Sequence, residues 1–224
     1  MSVPVVAVDG PAGAGKSSAS RGLARRLGFA HVDTGAMYRA VGVLAAERNV
    51  DPADDAGLGA LVRGLGFEVS PAGDRLLVDG RDLSGAIRTA RAGELASRVS
   101  ARPVVRERLV GLQRALGAAG RVVMEGRDIG TVVFPEAAVK FYLTAAPAER
   151  ARRRAAELRA KGETVDEAAL ARDIARRDER DSGRAHSPLR PAADAVVLDT
   201  TALALDEVVA AMEREVRRRL GPAV

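Results

Sequence analysis

The sequence contains no cysteine and no tryptophan, and only 3% of its residues are aromatic. Without cysteine the chain can form neither disulfides nor thiolate metal sites, which fits a reducing compartment, and we expect a cytoplasmic protein. The scarcity of aromatic side chains argues against a protein that stacks the bases of single-stranded nucleic acid on aromatic rings. No stretch approaches 18 consecutive apolar residues and the N-terminus has no basic leader, so we expect neither a membrane span nor a secretory signal.

Lysine is scarce as well: among 35 basic residues, only Lys16, Lys140 and Lys161 are not arginine. The net charge of +5 leaves a basic nucleic-acid-binding module as an alternative. However, the 30 acidic residues are interspersed with the arginines, so we expect most arginines to be solvated and predict no nucleic-acid partner. With 224 residues, 47% of them hydrophobic, the chain can build one full core with room for a small insert or lid.

A glycine-rich segment near the N-terminus is the most specific motif. It fits the phosphate-binding pattern G-x-x-x-x-G-K-[ST], here called the P-loop, and comprises Gly10, Pro11, Ala12, Gly13, Ala14, Gly15, Lys16 and Ser17. An apolar run at 5–8 predicts a strand before it, and residues 17–27 predict a helix after it. Main-chain N–H groups, the helix N-terminus and Lys16 would hold a triphosphate, and the Ser17 hydroxyl would ligate its Mg²⁺.

The same loop has a second interpretation, because Gly13 and Gly15 begin a G-x-G-x-x-G dinucleotide fingerprint. Asp33 lies about 20 residues on, where an acidic residue would hold a ribose. Yet the third glycine of that fingerprint is replaced by Ser18, and a lysine at position 16 favours a terminal phosphate. We therefore prefer the triphosphate site.

Strands and helices are predicted to alternate along the chain, which indicates an α/β fold with a parallel sheet covered on both faces. Residues 67–81 interrupt this alternation with an antiparallel hairpin, the best candidate for an inserted subdomain. Helix caps are predicted at Thr34 and at Thr164, the latter with the spacing of a capping box. Ligands bind at the carboxyl ends of parallel strands, and polar residues follow three of them: Asp9, Asp33-Thr34 and the run from Glu125 to Asp128.

Several charged side chains are candidates for this cleft. Arg127 could bind a phosphate and Asp128 could accept from the amino group of a base, although a simple Arg127–Asp128 salt bridge is an equal alternative. Residues 176–184 place several arginines and one carboxylate on one helical face. A second group of arginines lies on the preceding predicted helix, and each group could instead be the solvated face of a surface helix. These residues are Arg177, Arg180, Asp181 and Arg184 in the first group and Arg150, Arg153 and Arg154 in the second.

The two histidines, His31 and His186, have no ligand-like partners nearby in the sequence, and we interpret both as structural. No Ser–His–Asp arrangement occurs. A phosphate acceptor needs no general base, because its attacking oxygen is already anionic at neutral pH. A phosphotransferase without a catalytic histidine is therefore chemically reasonable.

Five segments together resemble the bacterial cytidylate kinases: 10–18, 33–39, 84–89, 125–135 and 177–184. The resemblance covers essentially the whole chain, and the run G-R-D-I-G-T-V-V-F-P is far more specific than the P-loop. It implies transfer of the γ-phosphoryl group of ATP to CMP or dCMP with Mg²⁺. It also implies a P-loop NTPase-type sheet of five parallel strands, with a small antiparallel β insert that binds the monophosphate and a short helical lid.

Carried over residue by residue, the resemblance implies that the P-loop and Ser18 hold ATP, with Arg150 and Arg154 facing it from the lid. Arg39, Arg127 and Arg184 would clamp the acceptor phosphate, and Arg177 would add charge on closure. Ser97, Arg106 and Asp128 would read the cytosine, and Asp181 would contact the ribose. Asp33 and Thr34 complete the expected CMP site, and Lys16, Arg127, Arg177 and Arg184 are the expected catalytic residues.

The predicted organisation is a kinase core at 1–60 and 101–224, an insert at 61–100 and a lid at 150–165. We expect a monomer that binds ATP and CMP or dCMP, with no membrane partner. A kinase for another monophosphate, such as UMP or AMP, is the alternative among enzymes. A basic GTPase-like binding module is the alternative outside enzymes, although the chain has no N-K-x-D guanine-reading segment.

Overall fold

Eight β-strands and eight α-helices lie in the residues that the computed structural model describes, which are 4–70, 72–160, 162–184 and 187–221. The strands are β1 (Val5–Asp9), β2 (Ala30–Asp33), β3 (Phe67–Val69), β4 (Leu76–Val78), β5 (Arg81–Asp82), β6 (Val122–Glu125), β7 (Val139–Thr144) and β8 (Val196–Asp199). The helices are α1 (Lys16–Leu27), α2 (Thr34–Glu47), α3 (Asp55–Arg63), α4 (Ala90–Val99), α5 (Pro103–Gly117), α6 (Pro147–Arg159), α7 (Glu167–Ser182) and α8 (Leu205–Leu220). Among these described helices, none has the length and apolar character needed to span a bilayer.

Five of the strands form one parallel sheet in the order β2-β6-β1-β7-β8. The central strand β1 is buried along its whole length, as expected for a parallel strand covered on both faces. The register sets Glu125 of β6 beside Val8 on one side and Asp33 on the other. The predicted α/β class and five-stranded parallel sheet are thus confirmed, and three polar strand ends meet at one edge of the sheet.

Apolar side chains pack the sheet on both faces. Helices α1 and α8 cover one face, where Leu23, Phe141 and Met212 are fully buried in one cluster. The opposite face packs Val32 and Met124 against the segment that follows β6. A third cluster joins α2, α3, α4 and α5 to the small sheet, and it holds the helices that flank the cleft.

The predicted hairpin is present but has a third strand. Strands β3, β4 and β5 form an antiparallel sheet, in which β5 pairs with β4 through Val78 and Arg81. Asp79 and Gly80 connect them with positive φ angles of 51° and 77°, the Asp-Gly signature of a tight two-residue turn. The two-stranded expectation missed this turn because β5 is only two residues long.

Both predicted helix caps are wrong, and for the same reason. At α2 the cap is Asp33, whose carboxylate accepts from the main-chain N–H of Ala36, while Thr34 is already helical. At α7 the cap is Asp166, which accepts from two main-chain N–H groups, so the helix begins at Glu167 and Thr164 lies outside it. A carboxylate one or two residues away displaced the threonine in each case. The predicted structural role of His186 falls outside the described residues.

Candidate active site

The P-loop (residues 10–17) runs from β1 into the first residues of α1. Gly10, Gly13 and Gly15 have φ angles of 143°, 77° and 83°, a conformation that side-chain-bearing residues rarely adopt. A Cβ on Gly10 would overlap the main-chain carbonyl of Leu143 in the neighbouring strand β7. The sequence therefore folds here into a tight turn whose N–H groups lie at a helix N-terminus, which is an anion-binding geometry.

Lys16 is buried in the middle of this loop. The residue is only 6% exposed, and its Nζ donates to the carbonyl oxygen of Pro11 at 2.6 Å. Burial, together with the positive charges of Arg127 and Arg177, lowers the pKa of Lys16 to about 7. Three cationic groups from distant parts of the chain are therefore close enough for their charges to interact. An anion bound there would relieve their mutual repulsion.

Glu125, at the end of β6, lies at the centre of the site, although the sequence analysis assigned it no role. Its Oε2 accepts from the Ser17 hydroxyl at 2.8 Å, its Oε1 lies 3.1 Å from Nε2 of His31, and its main-chain oxygen accepts from the Thr34 hydroxyl. The sequence did contain a signal for this role, because Glu125 is an acidic residue at the end of a predicted strand. The partner His31 is 94 residues away and could not be found from local sequence.

The pair Ser17–Glu125 has the chemistry expected of a Mg²⁺ site. Hydroxyl and carboxylate oxygens are hard ligands, and Mg²⁺ usually takes only one or two protein ligands alongside water and substrate phosphates. Within the described ranges, no group of three or more His, Asp, Glu or Cys side chains could hold a metal without such help. The residues therefore fit a Mg²⁺ ion that is bound together with a nucleotide.

Asp9, at the end of β1, holds the segment that follows Glu125. Its two carboxylate oxygens accept from the main-chain N–H groups of Ile129 and Gly130, each at 2.8 Å. Burial outweighs these hydrogen bonds and raises the pKa of Asp9 to about 6. Residues Ile129–Val133 form a single π-helical turn, a feature often found at functional sites. This contact fixes the position from which Arg127 and Asp128 project, and the sequence analysis missed it.

Asp181 of α7 brings together three of the predicted arginines. It accepts from Arg127 at 3.1 Å and from Arg184 at 2.5 Å, with Arg177 at 4.0 Å. Burial would raise the pKa of Asp181, but the three guanidinium charges outweigh burial and lower it. Burial and the charge of Arg127 lower the pKa of Arg177 to about 10. One buried carboxylate therefore holds Arg127, Arg177 and Arg184 together, and the solvated-helix interpretation is wrong for this part of the segment. Arg180, by contrast, is exposed and donates to the main-chain oxygen of Arg176.

Arg39 completes the group of cations. It donates to the carboxylate of Asp33 at 2.7 Å, and its charge contributes to the lowered pKa of Arg177. Burial would raise the pKa of Asp33, but the pairing with Arg39 lowers it. Arg39, Arg127, Arg177 and Arg184 are called the arginine cluster below.

The candidate base-reading residues lie beside the arginine cluster. Arg106 and Asp128 form an ion pair in which each side chain is only 7% exposed, so the proposed Arg127–Asp128 salt bridge is wrong. The guanidinium of Arg106 lies 5.7 Å from the ring centre of Tyr38, and burial raises the pKa of Tyr38 to about 12. Ser97 has a buried hydroxyl with no hydrogen-bond partner among the described residues.

Ser97 also borders a cleft of about 640 Å³ between α4 and α7. Arg184, one member of the arginine cluster, borders the same cleft. An unpartnered buried hydroxyl next to such a cleft is suited to a polar ligand.

The predicted lid arginines occupy different environments. Arg150 is buried, donates to the carbonyl oxygens of Ala145 and Ala12, both at 3.1 Å, and pairs with Asp178 of α7. It therefore supports the P-loop through Ala12. Arg154 is partly exposed and pairs with Glu157 on its own helix.

Comparison with known proteins identifies relatives over almost the whole length. The family model described as cytidylate kinase matches residues 6–218. The chain is 50% identical to the cytidylate kinase of Geobacter sp. (strain M21) over 96% of this chain and 94% of that protein. It is 49% identical to those of Carboxydothermus hydrogenoformans, over 96% of this chain and 97% of that protein, and of Rhodococcus opacus (strain B4), over 97% and 96%.

Proposed function

The chain belongs to the cytidylate kinase family, and from that premise we propose that it transfers the γ-phosphoryl group of ATP to CMP or dCMP, giving ADP and CDP or dCDP. One observation carries the assignment of the site. Two members of the arginine cluster, Arg127 and Arg177, lie close enough to the buried Lys16 of the P-loop that their positive charges lower its pKa. A phosphoryl group in transit between two phosphates is the ligand that such an arrangement fits.

The donor side of this reaction would use the P-loop. Its N–H groups and Lys16 would bind the β- and γ-phosphates and stabilise the charge that develops on the oxygens of the transferred group. Ser17 and Glu125 would hold Mg²⁺, which neutralises phosphate charge when it is bound. Arg150 would keep the P-loop in shape through Ala12, and Arg154 would turn toward ATP when the lid (150–165) closes.

The acceptor side would use the arginine cluster. Arg39, Arg127 and Arg184 would bind the phosphate of CMP as bidentate donors, and Arg177 would add charge during transfer. The insert (61–100) and its flanks would enclose the monophosphate, with Ser97, Arg106 and Asp128 on the cytosine and Asp33, Thr34 and Asp181 next to the phosphate and ribose. The acceptor oxygen is anionic at neutral pH, so no side chain is required as a general base.

We further propose that the protein works as a monomer in the cytoplasm, where ATP and nucleoside monophosphates are available. Mg²⁺ is the expected cofactor, in keeping with the oxygen ligands of Ser17 and Glu125. Nucleic acid is not an expected partner, because Arg127 and Arg184 are paired with the buried carboxylate of Asp181.

The first experiment is a measurement of ADP formation from Mg·ATP with CMP, dCMP, UMP, AMP and GMP supplied separately, together with a control without acceptor. Strong turnover with CMP and dCMP alone is the expected result. Turnover with another monophosphate would retain the mechanism and overturn the roles of Ser97, Arg106 and Asp128. Activity without acceptor, or none with any acceptor, would contradict the proposed function.

Substitution of Asp128 tests the reading of the base. Asp128→Ala should reduce the use of CMP, since it removes an acceptor for the cytosine amino group and leaves the buried Arg106 unpaired. We expect kcat/KM for CMP to fall about tenfold to a hundredfold, corresponding to about 1.5–3 kcal/mol for a charged hydrogen bond. The KM for ATP should change little. Equal losses for both substrates would argue against base reading.

A further inference from the structure

His31 forms a buried link between the small sheet and the candidate metal site. It lies on β2 and is 1% exposed, and its Nε2 is 3.1 Å from Oε1 of Glu125. The other carboxylate oxygen, Oε2, accepts from Ser17 at 2.8 Å. A carboxylate can only accept, so the hydrogen-bond network assigns the imidazole proton to Nε2. One imidazole thus determines which way the Glu125 carboxylate faces.

The imidazole is itself fixed by its surroundings. Its Nδ1 has no hydrogen-bond partner within the part of the chain that the structure describes. Gly73, in the turn between β3 and β4, packs directly against the ring, and a Cβ on Gly73 would overlap Nδ1 and lie 2.7 Å from the His31 carbonyl oxygen. Gly73 also has a φ of 67°, which favours glycine. The tip of the small sheet therefore closes off the face of the ring that points away from Glu125.

We propose that His31 is a positioning residue for Glu125, and through Glu125 for the metal-bound nucleotide. This inference rests on the proposed function, because it concerns the Mg²⁺ that accompanies ATP. By donating to Oε1, His31 holds the carboxylate plane so that Oε2 remains directed at Ser17. Without that donor the carboxylate could rotate within a buried space and lose its alignment with the Ser17 hydroxyl. Groups that orient metal ligands in this way commonly change metal affinity by about 10–100-fold.

The alternative is that His31 only fills the core beside β6. A core role predicts that substitutions lower the melting temperature in proportion to lost packing and leave metal-dependent nucleotide binding unchanged. A positioning role predicts that the effect follows the hydrogen bond to Glu125 and not the volume of the side chain. Two amides separate these predictions, because the glutamine amide nitrogen reaches approximately the place of Nε2, whereas that of asparagine reaches only the place of Nδ1.

The test is titration calorimetry of the full-length protein with ATP in excess Mg²⁺ and, separately, with ATP in EDTA. The ratio of the two dissociation constants reports how much Mg²⁺ strengthens binding, and it does not depend on turnover. His31→Asn should reduce this ratio by about tenfold or more, and His31→Gln should retain most of it. In assays with CMP, His31→Asn should lower kcat while the KM for CMP stays within about twofold of the wild type.

Val216→Ala in α8 is the control for lost stability. Val216 is fully buried in the apolar cluster between the sheet and helices α1 and α8, and it belongs to neither phosphate site. This substitution should lower the melting temperature and keep the wild-type ratio. If His31→Asn does not fold, His31→Met takes its place in the experiment, because methionine fills the volume of the ring but has no hydrogen-bond donor.

A variant without the donor that keeps the wild-type ratio, and shows only a lower melting temperature, would overturn the proposal. If instead the wild-type protein phosphorylates no monophosphate, the proposed function fails while the binding ratio still reports on His31.

Discussion

The two sides of the proposed phosphate site, the P-loop and the arginine cluster, are built in different ways. On the P-loop side, the geometry comes from a continuous segment in which glycines with positive φ bring main-chain N–H groups to the start of α1 around one lysine. On the other side, the arginine cluster is assembled from α2, α7 and the segments after β6 and α7, and the carboxylates of Asp33 and Asp181 pair with its members. The first site is local and made of main chain, and the second is long-range and made of side chains.

This difference explains how each side responds to substitution. Main-chain donors do not themselves require a neighbouring side chain, so we expect the P-loop to depend on its glycines, on Lys16 and on the support that Arg150 gives to Ala12. The arginine cluster depends on shared partners, since the single carboxylate of Asp181 accepts from both Arg127 and Arg184. Removal of one acid there should disturb several cations together, because each arginine would be left near like charges in a buried space. Three predictions, from the largest expected effect to the smallest, sharpen this contrast.

Lys16→Ala should lower turnover by about 10²–10³-fold or more, because it removes the one full charge that the P-loop places on the transferred group. The main-chain N–H groups remain, so ATP binding should weaken less than kcat falls. The measurement is steady-state ADP formation with saturating CMP. Arg26→Ala, at the opposite end of α1, is the control and should leave turnover unchanged. Near-wild-type turnover in Lys16→Ala would refute the proposed mechanism.

Asp181→Asn should raise the KM for CMP about tenfold to a hundredfold, in line with about 1.5–3 kcal/mol for charged hydrogen bonds. The amide keeps the shape of the side chain but no longer neutralises Arg127 and Arg184. The KM for ATP should change much less, because the side chain of Asp181 pairs with arginines of the proposed acceptor side.

Asp173→Asn provides the matched control for Asp181→Asn. Asp173 lies on the same helix α7, is exposed and pairs with Arg176. Exposed pairs of this kind contribute little, so both KM values should stay near those of the wild type. If Asp181→Asn weakened ATP and CMP equally, the two sides of the cleft would not be separable in the way that the geometry indicates.

The same contrast accounts for what could be predicted from the sequence. The P-loop, its flanking strand and helix, and the parallel sheet follow from local spacing and periodicity, and the structure confirms them. The partners of Asp181 and Glu125 could not be found in this way, because Arg127 and His31 lie 54 and 94 residues from them. Periodicity identifies which face of an element is buried, but it does not identify the partner that a buried charge will find.

The predicted helix caps were wrong even though the competing residues are close together in the sequence. Asp33 and Thr34 are adjacent, and both can accept from the first turn of α2, so local preference alone does not choose between them. The choice depends on Glu125, whose main-chain oxygen takes the Thr34 hydroxyl at 2.8 Å and leaves Asp33 to cap the helix. A contact with β6 therefore decides the boundary of α2, and no local pattern contains that contact.

The last prediction concerns pH and isolates Lys16 from the arginine cluster. The pKa of Lys16 is about 7 in the folded protein and near 10.5 when the chain is unfolded, so between these values the unfolded state binds more protons. In the absence of nucleotide, stability should therefore rise from pH 7 toward pH 10 relative to Lys16→Met, which has no titrating group at this position. Even one unit of pKa difference, about 1.4 kcal/mol, would shift the melting temperature by roughly 3–6 °C in a protein of this size.

Binding of ATP should reverse this effect, because the phosphate charge favours protonated Lys16. At pH 8 the wild-type protein should take up a proton on binding ATP, seen by calorimetry as a heat that varies with the ionisation enthalpy of the buffer, and Lys16→Met should not. Identical buffer dependence in the two proteins would mean that the lysine is already fully charged without nucleotide. In that case the positive charges of Arg127 and Arg177 would not lower the pKa of Lys16, and carboxylates within the site would have to neutralise both arginines before any phosphate binds.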